Sequence, residues 1–183
     1  MIFVIDIDDT IGGLQEAVID IFNARYNTKY TIEDFIEYDT ERCLPKQDAI
    51  NFKAIYHEPG IYDRVKPIPG AQNSIKKLIR DGHEVYIVTN SKPSIFEEKV
   101  NWVKYFFPFV NDDHIVCMTN KWMINCDIMI EDRIDTLLAK PFYTRICMDR
   151  PWNRKVHDEV YGIARCSNWG EIMEVVNKIC NEG

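Results

Sequence analysis

Residues 1–13 read Met-Ile-Phe-Val-Ile-Asp-Ile-Asp-Asp-Thr-Ile-Gly-Gly, an apolar run that leads into three closely spaced carboxylates. A short continuous apolar run is typical of a strand in a parallel sheet that is covered on both faces. Asp6 and Asp8 stand at i and i+2, so they share a face where the strand stays extended. Carboxylates packed this closely repel one another unless a cation is present, and Mg²⁺ prefers oxygen ligands. The stretch predicts a first strand ending at a metal site; an Asp-rich turn that caps a helix is the alternative.

The rest of the chain alternates apolar runs with amphipathic stretches. Strands are predicted at residues 2–5, 84–88, 114–117, 127–130 and 144–147. Helices are predicted between and after them, at residues 71–81, 93–107, 134–139 and 169–179. Strands that alternate with helices predict an α/β fold with a doubly wound parallel sheet.

Residues 14–66 interrupt this alternation, because they contain no clear strand. Helices are predicted at residues 15–26 and 46–57, and a further one opens at Thr31, where Thr31-x-x-Asp34 resembles a capping box. Pro67 and Gly70 mark the return to the sheet. The prediction is a small helical cap at 14–66, inserted into a core formed by residues 1–13 and 67–183.

Composition limits the class of protein. The chain has 183 residues and a net charge of −7, from 22 basic and 29 acidic residues. This balance argues against an extended nucleic-acid partner or an anionic membrane surface. No run approaches the roughly 20 apolar residues of a membrane helix, and residues 1–13 lack a signal-peptide pattern, so a cytoplasmic protein is expected. The six cysteines form no CxxC pair and are expected to be free, buried thiols. The oligomeric state is not indicated.

Two further clusters of polar residues follow predicted strands. Thr89, Asn90 and Ser91 end the second strand, and hydroxyl and amide groups at a helix start suit phosphate oxygens. Lys121 precedes the strand that ends in Glu131-Asp132. Taken singly, these residues are also ordinary turn and surface chemistry.

The order of these clusters resembles the haloacid dehalogenase superfamily of phosphohydrolases: Asp-x-Asp-x-Thr, a strand ending in Thr, a Lys, and a strand ending in two acids. The resemblance implies that Asp6 is the nucleophile and Asp8 the general acid/base. It implies a phosphate site made of Thr89 and Lys121, assisted by Asn90 and Ser91. It also implies Mg²⁺ held by Asp6, the backbone carbonyl of Asp8, and Asp132, with Glu131 in direct or outer contact.

Further segments resemble the 5′(3′)-deoxyribonucleotidase branch of that superfamily. They are Leu44, residues 67–70, residues 126–136, Asp149-Arg150-Pro151-Trp152-Asn153-Arg154 and Ser167-Asn168-Trp169. The first motif departs from the branch, which usually has Asp-Met-Asp-Gly-Val where this chain has Asp-Ile-Asp-Asp-Thr. The resemblance implies Mg²⁺-dependent hydrolysis of (deoxy)nucleoside monophosphates through an aspartyl-phosphate. The alternatives are the same mechanism on another small phosphorylated metabolite, and a binding protein without catalysis.

Substrate selection is expected to come from the cap. Phe35, Tyr38 and Arg42 stand at i, i+3 and i+7, which is one face of a helix if that stretch is helical, and they are the candidate base contacts. The alternative is that the aromatic rings are the cap's own core. Trp152 and Trp169 are interpreted as packing anchors.

Overall fold

The computed structural model describes residues 1–140 and 142–182 and consists of one parallel sheet covered by helices. The strands are β1 (Ile2–Ile5), β2 (Glu84–Thr89), β3 (Ile115–Cys117), β4 (Ile128–Glu131), β5 (Thr144–Met148) and β6 (Ile163–Cys166). Their order across the sheet is β3-β2-β1-β4-β5-β6, and every neighbouring pair is parallel. The predicted α/β fold with a parallel sheet is confirmed.

The helices are α1 (Leu14–Tyr26), α2 (Lys46–Ile55), α3 (Ala71–Arg80), α4 (Pro93–Phe106), α5 (Ile134–Leu138), α6 (Asp158–Tyr161) and α7 (Trp169–Glu182). Short 3-10 helices lie at Ile32–Asp34, Thr40–Arg42, Ile61–Asp63, Asp112–His114, Lys121–Met123 and Pro151–Asn153. Strand β6 has no counterpart in the predicted elements.

Both faces of the sheet are buried, which explains why the strands are continuously apolar. Phe3 and Ile5 of β1 belong to the larger hydrophobic cluster, whereas Val4 between them belongs to a second cluster on the opposite face. Adjacent residues of a strand point to opposite faces, so both sets must be apolar. Burying such side chains contributes roughly 1.5–3 kcal/mol each.

Residues 14–66, termed here the insertion, carry α1 and α2 around an aromatic core. Phe35 stacks on Phe52 with ring centroids 4.7 Å apart, and Phe22 lies 5.4 Å from Phe52. The prediction of a helix that opens at Thr31 is wrong. The Thr31–Asp34 capping box is present, but it begins only the short 3-10 helix Ile32–Asp34. Phe35 is fully buried in the aromatic core, and the chain leaves the helical conformation after Asp34 to place its ring there.

The insertion leaves and rejoins the sheet at neighbouring backbone positions. The Gly13 N–H donates to the Lys66 carbonyl at 3.0 Å, and the Ile68 N–H donates to the Ile11 carbonyl at 2.8 Å. A Cβ on Gly12 would lie 2.9 Å from the Trp102 ring, so only glycine permits this approach. These paired segments, residues 11–13 and 66–68, form the stem of the insertion.

Candidate active site

A cavity of about 770 Å³ opens beyond the carboxyl ends of β1, β2 and β4. Ligands of open α/β sheets bind in this position, because the loops that follow the central strands converge there. The cavity lies between the sheet and the insertion. Its lining includes Asp6, Asp8, Asn90, Ser91, Lys121, Glu131, Asp132 and, from the insertion, Tyr38, Tyr56 and Tyr62.

Three buried carboxylates meet at one end of the cavity. Asp6 follows β1, Glu131 ends β4 and Asp132 follows it; they are 5%, 1% and 3% exposed. An oxygen atom from each lies within 4.8 Å of the other two. Burial and the negative charge of Asp6 raise the pKa of Glu131 well above its usual range and that of Asp132 to about 7. Such a set of hard oxygen donors suits a divalent cation, which would relieve this repulsion.

Lys121 provides the counter-charge within this cluster. Its Nζ donates to Asp6 and to both carboxylate oxygens of Glu131, at 3.0 and 3.2 Å. Burial alone would lower the pKa of Lys121, but Asp6 and Glu131 outweigh it and the pKa is raised. Lys121 is therefore a fixed cation beside Asp6.

Asp8 lies in a separate polar network beside that cluster. Its Oδ2 accepts from Lys99 Nζ at 2.6 Å, and its Oδ1 accepts from the Tyr62 hydroxyl. Lys99 Nζ also donates to Thr89 Oγ1 at 2.7 Å and to the Asn90 carbonyl at 3.1 Å. Burial and Asp8 raise the pKa of Tyr62, so this phenol remains a hydrogen-bond donor. One lysine thus joins Asp8 to the end of β2.

The sequence interpretation missed Lys99. A detectable signal existed: Ile95, Lys99 and Trp102 stand at i, i+4 and i+7 on the buried face of α4. A lysine on an apolar stripe is unusual, because its charge needs a partner when it is buried.

Asp9 shapes the turn between β1 and α1. Its φ of 55° is in the left-handed region, which Asp tolerates better than most residues. Its Oδ1 accepts from the backbone N–H of Gln15, and its own carbonyl accepts from Arg150 Nε at 2.8 Å. The side chain therefore holds the first turn of α1, and burial raises the pKa of Asp9.

Trp152 does more than the packing expected of it. Its Nε1 donates to Asp132 Oδ2 at 2.8 Å, and Asn153 Nδ2 donates to the Asp132 carbonyl at 2.8 Å. Trp169 is a packing anchor as expected: it is fully buried, and its Nε1 bonds the Thr10 carbonyl at 3.0 Å. Trp152 and Asn153 together fix the orientation of Asp132.

The other predicted site residues occupy different positions. Thr89 is fully buried, and its hydroxyl accepts from Lys99, whereas Asn90 and Ser91 line the cavity. The exposed Tyr38 ring lies at the cavity, with the Arg133 guanidinium 4.3 Å from its centroid. Arg42 is exposed beside Asp39 and is not among the described residues that line the cavity.

All six cysteines are free, as expected, but only three are buried: Cys126, Cys147 and Cys166. Burial raises the pKa of the Cys126 and Cys166 thiols to about 11 and that of Cys147 to about 12. Within the described residues, none of the helices has the length and apolar content that crossing a membrane requires.

Comparison with known proteins gives consistent results. Residues 1–180 match the family model of the 5′ nucleotidase, deoxy (pyrimidine), cytosolic type C proteins. The chain is 26% identical over 173 residues to a 5′(3′)-deoxyribonucleotidase of Bacillus subtilis, covering 93% of this chain and 95% of that one. It is 29% identical over 130 residues to a putative 5′(3′)-deoxyribonucleotidase of Staphylococcus aureus, covering 70% and 71%.

Solved structures with the same fold include haloacid dehalogenase-like proteins. One from Agrobacterium tumefaciens has a TM-score of 0.68 at 11% identity and 98% coverage of both chains. One from Streptococcus pneumoniae has a TM-score of 0.61 at 10% identity, covering 96% of this chain and 97% of that one. These structures establish the fold.

Proposed function

Because the chain belongs to the cytosolic type C family of deoxy 5′-nucleotidases, which are phosphoric monoester hydrolases, we propose that it hydrolyses (deoxy)nucleoside monophosphates with a Mg²⁺ cofactor. The observation that carries this proposal is the cavity in which Asp6, Glu131 and Asp132 form an oxygen-donor cluster beside Lys121. The curated relatives named as deoxyribonucleotidases support the substrate class.

Asp6, Asp132 and the backbone carbonyl of Asp8 are the proposed holders of Mg²⁺, with Glu131 in direct or outer contact. The bound ion would neutralise charge on the phosphoryl group and on the carboxylates around it. Both carboxylate oxygens of Glu131 already accept hydrogen bonds from Lys121, so its main contribution is to hold that lysine.

Asp6 is proposed to attack phosphorus, so that a bond forms from its carboxylate oxygen as the bond to the nucleoside oxygen breaks. Asp8 delivers a proton to the departing oxygen and later takes one from the water that hydrolyses the aspartyl-phosphate. Asp8 is suited to this second role because Tyr62 and Lys99 fix both of its carboxylate oxygens.

Lys121 and Lys99 are the proposed cations for the phosphoryl oxygens, and Asn90 and Ser91 are further donors at the cavity wall. Thr89 is proposed to act by positioning Lys99, since its hydroxyl is fully buried. Among the candidate base contacts, Tyr38 has the position best suited to the role. Phe35 borders the cavity but is fully buried in the aromatic core of the insertion, and Arg42 lies outside the cavity lining.

The test is phosphate release from ribo- and deoxyribonucleoside 5′- and 3′-monophosphates and from common sugar phosphates, with Mg²⁺ and with chelator. We expect Mg²⁺-dependent turnover concentrated on deoxynucleotides. Asp6→Asn should remove nearly all turnover and keep the fold, because Lys121 retains Glu131 as a partner. Faster hydrolysis of sugar phosphates than of nucleotides would support the proposed mechanism but contradict the proposed substrate class. Turnover by Asp6→Asn equal to that of the parent would refute the nucleophile assignment.

A further inference from the structure

Three soft or borderline metal ligands meet at the amino ends of the strands, at the end of the sheet opposite the cavity. Met1 precedes β1, His83 precedes β2 and Cys180 lies in the last turns of α7. The Cys180 Sγ is 3.6 Å from the Met1 Sδ and 3.9 Å from the His83 Nε2. Met1 and Cys180 are exposed, so the group is accessible from solvent.

These separations agree with ligation of one ion. Metal–sulfur bonds of about 2.3 Å and metal–nitrogen bonds of about 2.0 Å, at trigonal or tetrahedral angles, separate neighbouring ligand atoms by roughly 3.5–4.0 Å. The sulfur–sulfur separation of 3.6 Å and the sulfur–nitrogen separation of 3.9 Å both fall in that range.

The His83 ring is held in place by its neighbours. The Nε2 atom of His83 faces the Cys180 sulfur, and its Nδ1 lies 3.4 Å from the Met1 backbone nitrogen. The Phe3 ring, 5.2 Å away between centroids, packs against the imidazole.

We propose that Met1, His83 and Cys180 form a surface site for a soft monovalent cation, Cu(I) being the natural candidate. Thioether and thiolate sulfurs select Cu(I) over hard ions such as Mg²⁺, and a thioether is a poor ligand for Zn²⁺. Binding replaces the Cys180 S–H proton by the metal and releases that proton to solvent. The bound ion ties the start of the sheet to α7.

Titration of the full chain with Ag(I), a stable mimic of Cu(I), tests this proposal through native mass spectrometry and thermal unfolding. We expect one tightly bound ion and a Tm higher by roughly 5 °C at a hundredfold excess over Kd. Cys117→Ser is the matched control. Cys117 is also exposed, but its Sγ contacts the Ser91 carbonyl instead of further metal ligands.

Cys180→Ser should abolish the Tm increase, His83→Gln should weaken binding at least tenfold, and Cys117→Ser should retain the full response. An equal Tm increase in Cys180→Ser would overturn the proposal, as would an equal loss in both cysteine variants or tighter binding of Zn²⁺ than of Ag(I). The Tm of each metal-free variant must match that of the parent, which shows that the substitution itself leaves the fold intact.

Discussion

Replacing Lys121 by Met tests whether this lysine holds the carboxylate cluster together. The parent side chain is 5% exposed, and its ammonium contacts Asp6 and both oxygens of Glu131. Met keeps the length of the side chain and removes the charge, so Asp6 and Glu131 lose their shared counter-ion. Removing one partner of a buried ion pair typically costs 3–5 kcal/mol.

For a chain of this size, each kcal/mol corresponds to about 2–4 °C, so Lys121→Met should lower the Tm by roughly 6–20 °C in the presence of chelator. Mg²⁺ should recover part of this loss, because it supplies positive charge to the same carboxylates. A second substitution, Glu131→Gln, should also recover part of it, since the double variant has one buried charge fewer.

Thermal unfolding of the parent, Lys121→Met, Glu131→Gln and the double variant, with and without Mg²⁺, measures these differences as a double-mutant cycle. Lys155→Met is the control, because Lys155 forms an exposed ion pair with Glu37 and should leave the Tm close to that of the parent. A Lys121→Met variant as stable as the parent in chelator would refute the reasoning, because it would mean that the carboxylates do not need this cation.

Three further predictions concern residues around the same cavity. Tyr62→Phe should lower kcat about tenfold or more with little change in KM, because Asp8 loses a donor that fixes it; steady-state kinetics in which only KM changes would contradict this. Trp152→Phe should weaken Mg²⁺ affinity about 10–100-fold by freeing Asp132, as titration calorimetry would show, and an unchanged Kd would contradict it. The pKa of Asp9 is raised in the folded protein, so the folded state loses stability as pH rises from 3.8 towards neutral. Asp9→Asn removes this loss, so urea unfolding with chelator should find the variant more stable relative to the parent at pH 7.5 than at pH 4.5. An equal difference between variant and parent at both pH values would contradict this.

The central strands could be predicted because burial on both faces leaves continuous apolar runs in the sequence. Strand β6 could not be predicted in this way, because Arg165 interrupts the apolar run of Ile163–Cys166 and is typical of an exposed segment. In the structure its guanidinium pairs with Asp158 and Asp149 at the edge of the sheet. Such a pairing depends on tertiary contacts that no local pattern records.

The carboxylates of the candidate site could be identified in the sequence because they stand at the ends of strands or just after them. Lys99 and Tyr62 reach the same site from α4 and from the insertion. The only sequence signal for Lys99 was its place on the apolar face of α4, and Tyr62 is one of many aromatic residues in the insertion. The contacts of Tyr62 with Asp8 and of Trp152 with Asp132 are set by how distant segments pack. The helix predicted from Thr31 failed for a related reason, since Phe35 is held by the aromatic core of the insertion.

The stem of the insertion allows residues 14–66 to vary independently of the sheet. Because residues 11–13 and 66–68 are hydrogen-bonded side by side, the fifty or so residues between them begin and end at almost one point. Loop closure depends only weakly on length, so a longer, shorter or unrelated segment can be grafted onto the same stem without displacing Asp6. We therefore expect the insertion to tolerate changes in length and sequence that leave the carboxylates at the ends of β1 and β4 in place.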